Sequence, residues 1–374
     1  MQTGKQTPAE AEQSHSTSRP SERPWMKVLL TVLVLAVNFI FHYGVFSLLK
    51  QNDISPVWLT IVAVVWGSVG IFTIYLSLNW VLSLYPESVK KKIQPFVFIS
   101  PAVFILGWLL FIPALRTLVM SFFGPNGDVF VGLKNYLAIF TQREMLITLR
   151  NTLMWVVFGT FFSVAFGLLI AVLAERSSFE KIAKSIIFMP MVISFVGAGV
   201  VWKFIYAYEP GDHQIGLLNA VVQAFGGEPQ AWLSLVQPWN NLFLIAIMIW
   251  MQTGFAMVIL SASIKGVPNE LLEAARIDGA SEIRIFFKII VPYIKTTLAA
   301  VTTTIVIFSL KIFDIVIVMT GGQYGTGVIA TKFYREFFTY DNQGYGSALA
   351  ILLLLFVIPV IWINASRFKK EEGF

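Results

Sequence analysis

The sequence predicts an all-α polytopic membrane protein with about eight transmembrane helices, and three observations carry that prediction. Hydrophobic residues make up 56% of the 374 and charged residues only 13%, against roughly 25% charged in a globular domain. The mean hydropathy is +0.73, so in water the chain would expose large apolar patches, and lipid is the better solvent. The apolar residues also come in long runs. A bilayer core about 30 Å thick needs about 20 helical residues, and eight stretches reach that length, at about 28–49, 57–82, 96–122, 152–174, 185–206, 241–264, 296–318 and 346–364.

Taken in order, residues 1–26 are polar and rich in Ser, Glu, Gln and Thr, which predicts a disordered cytoplasmic tail. The first apolar run exceeds the roughly 7–15 residues of a signal-peptide core and lacks a small-residue cleavage site, so it reads as a retained anchor helix. With the second run it forms an N-terminal pair over 27–94. The third run and the loop behind it fill 95–147, the other spans 148–364, and a short cytoplasmic tail 365–374. Prolines at 101, 113, 190 and 359 fall inside spans. Each frees a carbonyl and bends the axis, serving either packing or a moving pathway.

Cysteine is absent and histidine is limited to His15, His42 and His213, which excludes disulfides, thiolate metal sites and histidine clusters. The net charge of +6 sits in short clusters between apolar runs rather than along one stripe, which favours lipid headgroups over nucleic acid. With both termini inside, the inner segments hold Lys5, Arg19, Arg23, Lys27, Lys90, Lys91, Lys92, Arg176, Lys181, Lys184, Lys265, Arg276, Arg284, Lys288, Lys295, Arg367, Lys369 and Lys370. The outer segments hold Lys50, Lys134, Arg143, Arg150, Lys332 and Arg335. Basic residues concentrate on the cytoplasmic side of membrane proteins, so this bias of 18 to 6 sets the orientation.

The inner loop from Lys265 to Lys295 is the most informative segment. Asn269 is placed to cap a helix with Glu270 in its first turn. Leu271, Leu272, Ala275 and Arg276 follow at helical spacing, and Gly279 suits a left-handed stop. Ser281 then caps a second helix running to about Val291, with Pro292 starting the next span. By periodicity alone this is an amphipathic hairpin that could lie on headgroups.

The residue identities go further. Glu273-Ala274-Ala275, three residues, Gly279, nine residues, Ile289, two residues and Pro292 resemble the EAA signature of ABC importer permeases, and Asp278 and Ala280 complete the Asp-Gly-Ala form of the carbohydrate branch. Phe313 to Gly322 resembles the end of the seventh span in maltose-type sugar permeases, with Gln323 and Tyr324 where that family usually has Gly and Pro. Gly344 to Ala350 and Gly132 to Tyr136 are similar to other family segments, and the resemblance covers roughly residues 95–370. It implies the type I ABC importer permease fold in a bacterial inner membrane. It implies a coupling helix, including Glu273, Ala274, Ala275, Asp278, Gly279 and Ala280, that docks on a cytoplasmic ATPase dimer. It implies a second homologous permease and an extracytoplasmic sugar-binding protein, which Trp232 and Tyr324 could contact. ATP and Mg belong to the ATPase, and no cofactor, metal or catalytic residue is expected on this chain.

The same resemblance places the substrate among Met248, Met251, Gln252 and Phe255 of span six and Phe308, Ser309 and Ile312 of span seven. Amides and hydroxyls there would replace water, and aromatic faces would stack on a sugar. A glucoside such as a disaccharide, or a glucosylglycerol-type osmolyte, is the expected cargo. Thr302, Thr303 and Thr304 fit helix packing as well. Lys311 and Asp314 lie inside span seven, where a charge facing lipid costs roughly 2.5–3.5 kcal/mol. Their i,i+3 spacing predicts mutual neutralisation on one helix face, or contact with substrate. Lys203 and Arg116 lie near span ends and are expected to snorkel. No phosphate-binding Gly-x-x-x-x-Gly-Lys-[Ser/Thr] loop occurs, so ATP hydrolysis is not expected on this chain. The alternatives are an ion-gradient-driven transporter relying on Lys311 and Asp314, a structural subunit, or an ABC permease for a non-sugar solute.

Overall fold

Backbone groups in lipid must be satisfied within the chain, which drives apolar sequence into helices, and every long element of this computed structural model is one. The structure describes residues 24–50, 55–175, 177–211, 214–235 and 237–371. The predicted tail up to residue 23 lies outside the described residues, as do Arg176, His213 and residues 372–374. The predicted tail from 365 continues a helix as far as Glu371. The chain forms two compact units that divide after Ile112.

The first unit comprises α1 (Pro24–Leu49), α2 (Pro56–Ser83) and the leading part of α3 (Glu87–Met120). Membrane helices gain little by hiding apolar surface from lipid, so polar contacts and close packing hold them together. Here Asn38 donates to Ser77 Oγ at 2.9 Å, and the Trp66 indole donates to His42 Nδ1 at 2.9 Å. In α3 the carbonyl freed by Pro101, that of Val97, accepts instead from Ser100 Oγ at 3.1 Å. A wider π turn at Gly107–Phe111 stands just before Pro113, and another at Phe286–Ile290 just before Pro292. In both, the carbonyl that proline cannot bond lies inside the widened turn.

The second unit contains α4 (Lys134–Thr141), α5 (Arg143–Glu175), α6 (Glu180–Val192), α7 (Phe195–Ile205), α8 (Leu217–Ala224) and α9 (Trp239–Lys265). It continues with α10 (Asn269–Ile277), α11 (Glu282–Tyr293), α12 (Lys295–Leu310), α13 (Asp314–Met319), α14 (Ile329–Tyr334) and α15 (Gln343–Glu371). Helix α9 is the centre, buried at intervals from Asn240 to Ser261 and surrounded by α5, α6, α12 and α13.

Among the described residues, six helices are long and apolar enough to cross a bilayer, and two further apolar stretches are bent pairs. This refines two of the expected spans. The stretch predicted over 185–206 bends by 102° between α6 and α7, where Ser194 Oγ starts α7 by accepting from Gly197 N at 3.0 Å. The stretch over 296–318 is preceded by a 74° bend at Ile294 and ends early at Leu310, giving way to α13.

Candidate functional site

Two features stand out in the second unit: an elbow between α10 and α11 at one end of the bundle, and a cleft within the bundle at the α6–α7 break.

The elbow is built by capping chemistry. Helix α10 begins at Asn269 itself, with Pro268 in the cap position and no side-chain cap, so the capping role expected of Asn269 is corrected. At the other end the Gly279 N–H bonds the Arg276 carbonyl and the Ala280 N–H bonds the Ala275 carbonyl, both at 3.0 Å, the paired bonds of a Schellman stop. Gly279 has φ +77, and a Cβ added to it would meet nothing within 4 Å, so backbone conformation alone demands glycine there. Ser281 caps α11 by accepting from Arg284 N. Arg276 and Glu282 pair across the bend at 2.9 Å, and that carboxylate pushes the guanidinium above its ordinary pKa.

One face of the elbow is fastened and the other is free. Leu272, Ala275, Ala280, Phe286 and Ile289 pack on the bundle core. Glu273, Ala274, Asp278 and Gly279 are exposed. Beside them Leu271 is 49% and Ile277 86% exposed. The free face is therefore a short apolar and acidic ridge of small and medium side chains.

The cleft, of about 380 Å³, is lined by Met251, Gln252 and Phe308 together with Met191, Val192, Ile193, Ser194 and Phe195. None of these residues is charged. Gln252 is 4% exposed, and its Oε1 has no hydrogen-bond partner among the described residues. A buried acceptor in that condition is poised for a donor. The Phe195 and Phe308 rings stand 6.4 Å apart at 48°.

Of the seven residues expected at the substrate site, the structure brings Met251, Gln252 and Phe308 to the cleft. Met248 and Ser309 are fully buried, with Ser309 Oγ donating to the Ile305 carbonyl at 2.9 Å and lying 3.6 Å from Met248 Sδ. Ile312 is buried in the break after α12, and Phe255 packs on the core. Sequence reading missed the wall from Met191 to Phe195. Pro190 followed by Ser194, a helix stop and a helix cap within four residues, was the available signal.

Lys311 and Asp314 do not share a helix face. Helix α12 ends at Leu310, Lys311 is exposed beyond it, and Asp314 opens α13. No ion pair joins them among the described residues, because the i,i+3 argument needs a continuous helix. At the end opposite the elbow, Asn151 bonds the Gly325 and Gly327 carbonyls at 2.7 and 2.9 Å and Asn240 bonds the Tyr324 carbonyl at 2.8 Å. Tyr324 is 58% exposed and held at φ 54. Trp232 is half-buried, its ring 4.9 Å from that of Phe243.

Residues 163–366 match the family described as binding-protein-dependent transport system inner membrane component. The osmoprotective compounds uptake permease protein GgtC of Synechocystis is 53% identical over 277 residues, 74% of this chain and 99% of that protein. The alpha-glucoside transport system permease protein AglF of Rhizobium meliloti is 46% identical over 287 residues, 76% of this chain and 85% of that protein. Among solved structures, a bacterial ABC transporter that imports the acidic polysaccharide alginate shares the fold, with a TM-score of 0.65 at 19% identity, covering 76% of this chain and 99% of that one.

Proposed function

Since the chain belongs to the binding-protein-dependent transport system inner membrane component family, we propose how this permease of an ABC importer works and what it carries. The elbow faces the cytoplasm, and its free ridge, from Leu271 to Gly279, seats in a groove of a separate ATPase dimer. Both termini lie on that side, the orientation that the excess of basic residues in the inner segments supports. A second homologous permease completes the pathway, and an extracytoplasmic binding protein delivers cargo at the opposite end, near Tyr324. ATP and Mg are handled by the ATPase. Its closure shifts the ridge and alternates access to the cleft.

The cargo is a neutral sugar or glucoside, or an osmolyte of the same chemistry. The cleft supports this: no charged side chain lines it, two phenylalanine rings flank it, and the Gln252 acceptor would take a hydroxyl hydrogen bond. Its volume lies within the roughly 300–1,000 Å³ usual for small-molecule sites. The names of the glucoside and osmoprotectant relatives point the same way.

The observation that carries the coupling assignment is Ile277, an apolar residue left 86% exposed beside Glu273 on a nine-residue helix too short to cross a bilayer. Replacing Glu273→Ala together with Gly279→Leu is expected to leave the chain inserted and abundant while ATP-driven uptake falls at least about tenfold, or about 1.4 kcal/mol of coupling. Unchanged uptake would remove the elbow from the mechanism, and uptake without any ATPase would indicate an ion-gradient transporter.

A further inference from the structure

Four charged side chains gather where α5 ends, α6 begins and α9 gives way to the elbow. Lys184 pairs with Glu175 and, at 2.6 Å, with Glu180. Lys265 pairs with Glu180 and, at 3.5 Å, with Glu175. Ser261 on α9, buried at 3% exposure, accepts from Lys184 and donates to Glu175. The side chains of Lys184, Glu175 and Glu180 are 17%, 16% and 26% exposed. Two acids and two bases balance, so the cluster is neutral, with Lys184 and Glu175 on its sheltered side and Lys265, 53% exposed, on its open side. An isolated surface pair is worth only about 0–1 kcal/mol, but this network is shared, and its four side chains with Ser261 tie the ends of α5, α6 and α9 to one another.

Its position gives it a use. Lys265 is the last residue of α9, and the next residue, Gly266, accepts the Tyr293 hydroxyl at 3.1 Å from the returning leg of the elbow. The cluster thus sits at the root of the elbow. Helix α6 starts in the cluster at Glu180 and runs 13 residues, about 20 Å at the helical rise, to the cleft wall at Met191, Val192 and Ile193. Midway it is pressed on α9: a Cβ on Gly254 would come within 2.5 Å of the Ile187 carbonyl oxygen. A rod fixed at its foot and its waist is left to bend beyond the waist, where Pro190 loosens the helix and the 102° break at Ile193 and Ser194 follows.

Resting on the reading that an ATPase grips the elbow, we infer that Glu180 and Lys184 are positioning residues for transport. They make α6 and the end of α9 a single lever that carries displacement of the elbow to the cleft wall. The ion cluster stays closed through the cycle, and the motion is absorbed at the Ile193–Ser194 break. Physical contact from elbow to cleft is continuous along this route, through ion pairs and packed backbone of the kind that can carry coupling between distant sites.

The test uses the complete transporter in proteoliposomes, with its ATPase, second permease and binding protein. Glu180→Gln is expected to raise the ATP hydrolysed per solute imported at least tenfold, with the complex assembled in wild-type amounts. The conservative variant Glu180→Asp, which keeps the charge that faces both Lys184 and Lys265, is expected to return that ratio to within threefold of wild type. Because the chain has no cysteine, E180C with K265C introduces its only thiols. This pair is expected to be uncoupled until a short reducible linker joins the two sites, and coupled afterwards. An unchanged ratio in Glu180→Gln overturns the lever, as does a linker that stops uptake until it is reduced, since the cluster would then be a latch that has to open. Wild-type uptake that needs no ATP would instead bring down the ABC reading on which the lever rests.

Discussion

Helices α1 and α9 are nearly equal in length, at 26 and 27 residues, and equally apolar, yet the structure uses them in opposite ways. None of the most apolar stretch of α1 is buried, against more than half of that of α9. Helix α1 turns Val28, Leu33 and Phe39 outward, and its few polar groups, Asn38 and His42 among them, are answered by the neighbouring α2. Helix α9 buries Asn240, Asn241, Gln252, Thr253 and Ser261 and brings Gly254 against another backbone. Average hydropathy therefore says that a helix lies in lipid. The polar and small minority says what it touches, because such residues are costly or useless against acyl chains.

That contrast gives graded predictions. The largest effect belongs to Gly254→Leu, which drives a side chain into the Ile187 carbonyl. It should cost the upper part of the roughly 1–3 kcal/mol typical of overpacking, read as a lowered thermal midpoint of the purified complex and loss of uptake. Next is Gln252→Leu, which removes the unpaired acceptor from the cleft. A lost hydrogen bond of about 1–1.5 kcal/mol should raise the KM for uptake roughly tenfold with little change in stability. The smallest effect is expected of Gly44→Leu on α1, where nothing lies within 4 Å of the added Cβ. It should stay within about 0.5 kcal/mol and leave uptake unaltered. Were Gly44→Leu as damaging as Gly254→Leu, the division between a lipid-facing helix and a working core would fail.

Much of this was legible in the sequence, for identifiable reasons. Helical spans follow from length and apolarity, and the elbow follows from Gly279 and Ser281, whose roles are local and so survive in any tertiary context. The breaks were less visible. An apolar run over 185–206 reads the same whether straight or bent by 102°, and only Pro190 and Ser194 mark the difference. For the same reason Lys311 and Asp314 looked like helical neighbours, while the chain leaves the helix at Leu310. The cleft was half seen: Met251, Gln252 and Phe308 lie on the elements expected, but the wall from Met191 to Phe195 depends on how those elements meet. Met248 and Ser309 share the periodicity of the lining residues and yet pack on each other behind it, a distinction that only side-chain packing makes.

The claim beneath all of this is that the α10 ridge is a cytoplasmic contact for a nucleotide-driven partner. A single thiol at Ile277→Cys, in a chain otherwise free of cysteine, reports on it directly. In inside-out vesicles it should react with a membrane-impermeant maleimide, cross-link to the ATPase subunit, and become protected when that subunit is bound. Labelling from the outer face of intact cells, or a thiol that never meets the ATPase while uptake proceeds, would contradict it.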